Sequence, residues 1–401
     1  MTPFIPTARG PLDGIVVLDL SRLVAGNMLS LQLADFGAEV IKVEDPGKGD
    51  PLRDWKVSGH SLFWKAYARN KKSLTLDLRN ARGMELLHSL IERSHVLIEN
   101  YRPGTLERMG LGPDALHKRN PNLIVVRVSG WGQTGPYALK PGFGTLVEGM
   151  SGFAAKTGFA DREPVLPPTA LADMVAGLYG AFATMTALRE IETKGGSGQV
   201  IDLSLLESMH SVLGADAAAF KVAGQIPKRM GSRSNVTSPR NVFRTRDGRW
   251  VSLSGSMRSM AERLYRTVGQ PDMTKDERFA TNAARLAHAE EAERPIREFI
   301  AARDLQECLA VFETAEVTVA PVYDIDQFVA DQHVVARQVV VDMEDDEVGA
   351  VTMHNVIPRL SGTPGGMRYP APKLGQHTAE ILARLGVDDD ELTRLRTQKI
   401  I

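Results

Sequence analysis

The sequence predicts an α/β protein: a doubly wound parallel sheet followed by a smaller α+β domain. Three observations carry this. Short apolar, β-branched runs alternate with amphipathic stretches over the first 130 residues, the pattern of parallel strands joined by right-handed crossovers. A run apolar nearly all round its helical circumference then spans about 169–192, and such a helix is buried. Beyond it the texture changes, with Gly, Ser, Pro and Arg dominating 224–240 before a hairpin signal.

Ile15–Leu20 (IVVLDL) reads as the first buried strand. A helix follows over 27–36, with Gly37 as its C′ glycine. Val40–Val43 and Ser73–Leu78 are the next strands. Arg82–Arg93 is an amphipathic helix with Met84, Leu87, Leu90 and Ile91 at helical spacing, and Val96–Glu99 and Leu123–Val128 are further strands. Pro167-Pro168 stops the preceding chain, Thr169 is the expected N-cap of the long helix, and Gly195–Gln199 ends it. A strand at Val200–Leu203 and a helix at Leu205–Lys221 complete a first domain over 1–224. The 224–240 stretch reads as a linker. Asp247-Gly248 between two alternating runs marks a hairpin over Val242–Leu253, and helices between Met257 and Phe312 fill a small domain over 225–320. Val317–Val322 looks like a strand leading back into 321–401, an ambiguous tail with a Val351–Val356 run and a helix at His377–Leu385.

Composition narrows the function. The chain has 401 residues, enough for two or three domains of roughly 100–200 residues. With 43% hydrophobic and 24% charged residues it is not a disordered chain. No run of about 18 apolar residues predicts a polytopic membrane protein. The net charge of −1 offers no global basic field for nucleic acid. One cysteine, Cys308, excludes an intrachain disulfide and a multi-thiolate zinc site. The opening residues lack the charged and apolar regions of a signal peptide, so a cytoplasmic location is expected.

Gly130-Trp131-Gly132-Gln133-Thr134-Gly135 is a literal GxGxxG after a strand. A dinucleotide fingerprint should open a helix and precede an acid about 20 residues on. Here Pro136-Tyr137 and Lys140-Pro141 follow instead, so the stretch reads as a loop at the carboxyl edge of the sheet, and hydride transfer is not expected. The nine histidines are scattered and no metal site is expected. Ser151 has the wrong spacing for a nucleophile elbow. Asp173 stands out as a lone carboxylate one turn into an apolar helix. It is either a carboxylate that the helix dipole favours or a nucleophile kept ionised by that dipole inside a dry shell. The nucleophile would attack an acyl thioester, with backbone N–H groups of Gly-rich loops holding the oxyanion. Lys42, Arg69, Lys71, Lys72, Arg79, Arg102 and Arg108 fall near strand ends. They are either a solvated face or, together, a reader of phosphates.

Leu12–Asp19 (LDGIVVLD), Leu33–Glu44 (LADFGAEVIKVE), Glu99–Gly110 (ENYRPGTLERMG), Ser129–Tyr137 (SGWGQTGPY) and Ala172-Asp173 with Gly177 resemble, in order and spacing, class III CoA-transferases, the formyl-CoA transferase and carnitine CoA-transferase family. The resemblance covers essentially the whole chain. It implies a Rossmann-like large domain built from the N- and C-terminal segments, an inserted small domain, and two subunits interlocked like links. It implies coenzyme A and acyl-CoA as substrates rather than a resident cofactor. It makes Asp173 the catalytic residue, forming an anhydride and then an aspartyl-CoA thioester. It carries CoA contacts over to Leu23, Val24, Ala25, Leu76, Arg79, Asn100, Tyr101, Arg108 and Leu205.

This sequence also departs from the family pattern. Formyl-CoA transferases have arginine where Asp45 stands and glutamate where Gly144 stands, and a glycine-rich loop that is missing from 225–260. The acceptor is therefore not expected to be oxalate. The related α-methylacyl-CoA racemases use a histidine that would align with Phe143, which cannot carry a proton. The expected activity is transfer of CoA from an acyl-CoA to a small carboxylate. Arg22, Arg53 and Arg233 are candidate cations for the second carboxylate of a dicarboxylate such as succinate. A racemase or epimerase and a non-catalytic CoA-binding protein are the alternatives.

Overall fold

The computed structural model describes residues 2–401. They form two compact units. The larger takes the described residues up to Phe153, Leu166–Gly214 and Gln338–Ile401; the second takes Ala154–Val165 and Ala215–Arg337. The second unit is thus wider than the 225–320 span read from the sequence, and it gathers a short upstream segment as well.

The chain runs β1 (Val16–Asp19), α1 (Ala25–Asp35), β2 (Glu39–Glu44), α2 (Leu62–Tyr67), β3 (Lys71–Thr75), α3 (Ala81–Ile91), β4 (Val96–Glu99), α4 (Thr105–Arg108), α5 (Pro113–Arg119) and β5 (Ile124–Ser129). It continues with α6 (Gly144–Met150), α7 (Phe153–Lys156), α8 (Leu171–Lys194), β6 (Val200–Ser204) and α9 (Leu205–Ser211). The six strands form one sheet in the order β3-β2-β1-β4-β5-β6, parallel throughout. Both faces are covered, as a parallel sheet requires. Val17, Val40, Ile98, Ile124 and Val126 point to the side packed by α1, α8 and α9. Their alternates Leu18, Ile41, Leu97 and Val125 point to the other.

Three local expectations shift. The strand expected at Ser73–Leu78 ends at Thr75, because the Asp77 N–H is taken by the Ile400 carbonyl at the chain's end, 2.7 Å away. The helix expected over Leu205–Lys221 breaks after Ser211, where Gly214 adopts φ +89°, a conformation favoured by glycine. Thr169 does not cap α8: the N-cap is Ala170, with no side-chain cap bond. The long helix α8 is apolar and long enough to cross a membrane by length and composition, but Ala172, Ala176, Gly180, Thr184 and Leu188 along one side of it are buried. Gly180 sits against Leu29 of α1 so closely that a Cβ would meet its Cδ1 at 2.3 Å.

The second unit holds α10 (Asp216–Ala223), β7 (Arg240–Arg244), β8 (Trp250–Ser254), α11 (Arg258–Thr267), α12 (Asn282–Ala287), α13 (Ala289–Ala301), α14 (Leu305–Thr314), β9 (Val319–Pro321), α15 (Ile325–Ala330) and α16 (Gln332–Ala336). Its antiparallel sheet is β7-β8-β9, with Gly248 at φ +80° in the expected hairpin turn. The chain then returns to the larger unit as a hairpin, β10 (Val340–Asp345) and β11 (Gly349–His354), and two helices, α17 (Thr378–Ala383) and α18 (Asp389–Thr397). Ile381, Leu382, Leu392 and Leu395 of these helices join the same apolar cluster as Leu18 and Ile41. The C-terminal segment therefore completes the cover of one sheet face.

Candidate active site

Strand order reverses between β1 and β4, and in open α/β sheets ligands bind beyond the carboxyl ends of strands at that point. A cavity of about 450 Å³ opens there, within the usual range for small-molecule sites. Arg22, Leu23 and Ala25 reach it from the end of β1, Asn100 and Tyr101 from β4, Gly130 and Trp131 from β5, and Asp173 and Leu205 from helix starts. The GxGxxG stretch is thus a loop at the carboxyl edge. Its Gly130 packs so tightly on Gly142 that a Cβ would meet the Gly142 Cα at 2.7 Å.

The β1 loop is held from below. Asn100 accepts from the Arg22 N–H at 2.9 Å and donates to the Arg22 carbonyl at 2.7 Å. Leu23 adopts φ +62°, a costly conformation for a γ-branched residue. Asp50 holds it there by accepting from the Leu23 N–H at 3.0 Å. The other Asp50 oxygen meets Asn27 at 2.9 Å and Lys42 at 3.0 Å. Lys42 also pairs with Asp19 at 3.2 Å and donates to the Ser21 carbonyl. Burial works against its charge, but Asp19 and Asp50 outweigh that and hold the ammonium well above its ordinary range.

This corrects the sequence reading of the basic residues. Lys42, Lys71 and Arg69 do not face a ligand: all three are buried. Lys71 donates to Asn27 at 2.9 Å and Arg69 pairs with Asp35 at 2.7 Å. Buried carboxylates demand buried cations, and these strands supply them. Lys72 is committed to Glu39 and Glu380. Arg53 pairs with Glu44 at 2.7 Å and stacks on Trp64, and Arg233 pairs with Glu290 and Glu293. Of the three arginines proposed for a second carboxylate, Arg22 alone lines the cavity. The cations that do line it are Arg22, Arg102 and Lys140.

A second cavity, about 340 Å³, continues outward past Arg22, Pro51 and Tyr101, which line both. Leu76, Arg79, Lys48 and Asp45 line its walls. Asp45 stands where formyl-CoA transferases have arginine, and here it meets Arg79 at 3.4 Å. A third cavity, about 470 Å³, adjoins the first and shares Leu23, Phe143 and Asp173 with it. Its walls include Val24, Leu52, Trp55, Phe63, Tyr67 and Met174, with Glu148 as its second carboxylate. No Lys, Arg or His lines it.

Asp173 therefore sits where a cation-rimmed channel meets an aromatic chamber. It is half-buried in the first turn of α8. Burial pushes its pKa up to about 6, the Glu148 charge adds to the rise, and backbone N–H groups of Asp173 and Ala25 pull against it. The sequence reading had the helix end keeping this group ionised; desolvation wins instead, and Asp173 remains mostly ionised only above about pH 6. Gly144 lies against it: a Cβ there would meet the Asp173 Oδ2 at 2.2 Å. A carboxylate returns one turn later as Glu148, which accepts from the Ala172 N–H at 3.0 Å. That bond satisfies an orphan donor of the α8 terminus that Thr169 leaves uncapped.

Of the CoA contacts carried over by resemblance, Leu23, Ala25, Asn100, Tyr101 and Leu205 gather round the first cavity, Leu76 and Arg79 round the second, and Val24 round the third. Arg108 lines none of these three; it donates to Thr105 at 2.8 Å. Sequence reasoning missed Lys48, Lys140, Glu148 and the aromatic trio Trp55, Phe63 and Tyr67. The trio lies in a stretch, 44–72, for which no element was read, although with Trp64 it makes four aromatics within 13 residues, a visible signal.

A model described as CoA-transferase family III matches residues 12–378. The chain is 39% identical over 395 residues to the succinyl-CoA–D-citramalate CoA-transferase of Chloroflexus aurantiacus, covering 98% of each chain. It is 35% identical over 394 residues to the succinate–glutarate CoA-transferase of Agrobacterium fabrum, covering 95% of this chain and 97% of that one. The crystal structure of a CaiB/BaiF family protein from Brucella suis superposes with a TM-score of 0.82 at 33% identity, covering 94% of this chain and 100% of that one.

Proposed function

The chain belongs to CoA-transferase family III, and from that premise we propose that it moves CoA from succinyl-CoA to a free dicarboxylic acid by way of Asp173. It is a CoA-transferase acting between an acyl-CoA and a carboxylate; the named relatives work on succinate, glutarate and citramalate, which supports the dicarboxylate class. The observation that carries the mechanism is the position of Asp173 at the junction of the two chambers.

The Asp173 carboxylate attacks the thioester carbon. The C–S bond breaks, leaving an acyl-aspartyl anhydride and CoA thiolate. The thiolate attacks Cγ of Asp173 and expels the donor acid as its carboxylate, leaving an aspartyl-CoA thioester. An acceptor carboxylate attacks that Cγ and expels the thiolate, which then takes the acceptor's acyl carbon and returns Asp173 as carboxylate. No proton is consumed. CoA would lie along the outer and first cavities, with Arg22, Arg79, Arg102, Lys48 and Lys140 toward its phosphates and Leu23, Tyr101 and Leu205 along the pantetheine arm. Acyl group and acid would occupy the aromatic chamber. Among the described residues no histidine lines any of the three cavities, so the histidine that the racemases pair with the aspartate has no counterpart there.

The purified protein, given succinyl-CoA and a panel of C4–C5 dicarboxylates, is expected to form the new CoA thioester at a rate that rises with acceptor concentration. α-Deuterium incorporation without acceptor would favour the racemase instead. Binding of CoA with neither reaction would favour the non-catalytic reading.

The Rossmann-like reading of the larger unit rests on its strand order. A homodimer is supported by an apolar stripe on α8: Leu178, Phe182 and Met185 share one face and are 50%, 71% and 41% exposed. Exposed apolar patches of this kind mark interaction surfaces. Sedimentation at about twice the 43.8 kDa chain mass, reduced to the monomer by Phe182→Glu, is expected; a wild-type monomer would refute it. A cytoplasmic location, where acyl-CoA substrates are available, goes with this reading, and recovery in a secreted fraction would contradict it.

A further inference from the structure

The transfer reading leaves one group in the aromatic chamber unused. Glu148 is 2% exposed. Its Oε1 is fixed by the Ala172 N–H at 3.0 Å, while its Oε2 has no partner among the described residues. The residue lines the same chamber as Asp173. A carboxylate is acceptor-only, and a buried one needs donors. The chamber has no cation to offer.

The covalent sequence decides when this matters. When the acceptor enters, Asp173 is already esterified to CoA and carries no charge. Glu148 is then the remaining anion of the chamber. A donor on the incoming acid would find an oriented, desolvated acceptor within the space where its carboxylate must approach Cγ. An acid bearing only carboxylates and methylenes would find repulsion at the same place. Tyr67, Thr145 and Thr169, which carry neutral hydroxyl donors, are also in its lining and suit a remote carboxylate.

Building on the transfer reading, we propose that Glu148 is a specificity-determining residue: its free oxygen accepts a hydrogen bond from a hydroxyl group on the acceptor, so that the preferred acceptors are hydroxy-dicarboxylates. The residue makes no bond to carbon and takes no proton.

The test compares acceptors that differ by one hydroxyl. With succinyl-CoA as donor, kcat/KM is measured for glutarate, 2-hydroxyglutarate and 3-hydroxyglutarate, in the wild type and in Glu148→Met, which keeps volume and removes the acceptor. A hydrogen bond to a buried charge is expected to favour the better hydroxy acid by about tenfold or more in the wild type. In Glu148→Met the ratio should fall to about threefold or less. If Met impairs folding, Glu148→Gln keeps the Ala172 anchor and removes the charge, and the ratio should fall there too. A wild type that prefers glutarate, or a ratio that survives both substitutions, overturns the Glu148 assignment and leaves the transfer reading intact. A wild type that passes CoA to none of the three acids while binding succinyl-CoA overturns the transfer reading and this inference with it.

Discussion

Asp173→Ala is expected to lower CoA transfer by at least about 10⁴-fold while leaving the fold intact. The size follows from the route: if the acyl group and then CoA are bound to this side chain, removing it removes both covalent intermediates and not merely a stabilising contact. Asp173→Asn keeps the shape and should be equally inactive, because a neutral amide is a poor nucleophile toward a thioester. Binding of CoA should change little in either variant, since Leu23, Tyr101, Arg22 and Arg79 line the channel independently of this residue. The same side chain sets the pH dependence. Burial and the Glu148 charge place its pKa at about 6, and the attacking form is the anion. kcat/KM should therefore be flat above about pH 7 and fall about tenfold per pH unit below 6. Removing the Glu148 charge should move that limb to lower pH.

Gly144→Ala is expected to reduce kcat by about 10²-fold or more with much less effect on CoA affinity. The new methyl would stand 2.2 Å from Oδ2 of Asp173, closer than two non-bonded atoms can come. Gly144 is the first residue of α6 and is buried, so the cheaper response is rotation of the Asp173 side chain. A nucleophile turned by an ångström loses its line of attack, and such misplacement costs on the order of 10²-fold. Stopped-flow measurement of thiolate release in a single turnover would read the chemical step directly. An unchanged rate would mean that Asp173 works in an orientation other than the one seen here.

How much of this was legible in the sequence depends on what each signal encodes. Asp173 was visible because a lone carboxylate among Ala, Leu, Met and Val in a helix has few uses. The alternation of Val17 with Leu18, and of Val40 with Ile41, encoded a sheet covered on both faces. Lys42 and Lys71 were misread because proximity to a strand end does not say which way a side chain turns. Their direction is fixed by Asp19 and Asp50, carboxylates distant in sequence. Glu148 was invisible for a similar reason: it is 25 residues before Asp173 in the chain and meets it only because α6 packs against the start of α8. The strained Leu23 carries no local signature; Asp50 imposes its conformation from 27 residues away. In the C-terminal tail the helix at His377–Leu385 was legible and α18 was not, because short amphipathic segments take their identity from the sheet face they cover.

The most direct measurement is the mass of the peptide containing Asp173 after the enzyme is mixed with succinyl-CoA, quenched in acid and digested. The covalent route predicts a fraction of that peptide carrying CoA as a thioester at residue 173, converted to the hydroxamate by hydroxylamine and discharged when an acceptor acid is added before the quench. An unmodified peptide throughout, in enzyme that is forming the new CoA thioester under the same conditions, would contradict it.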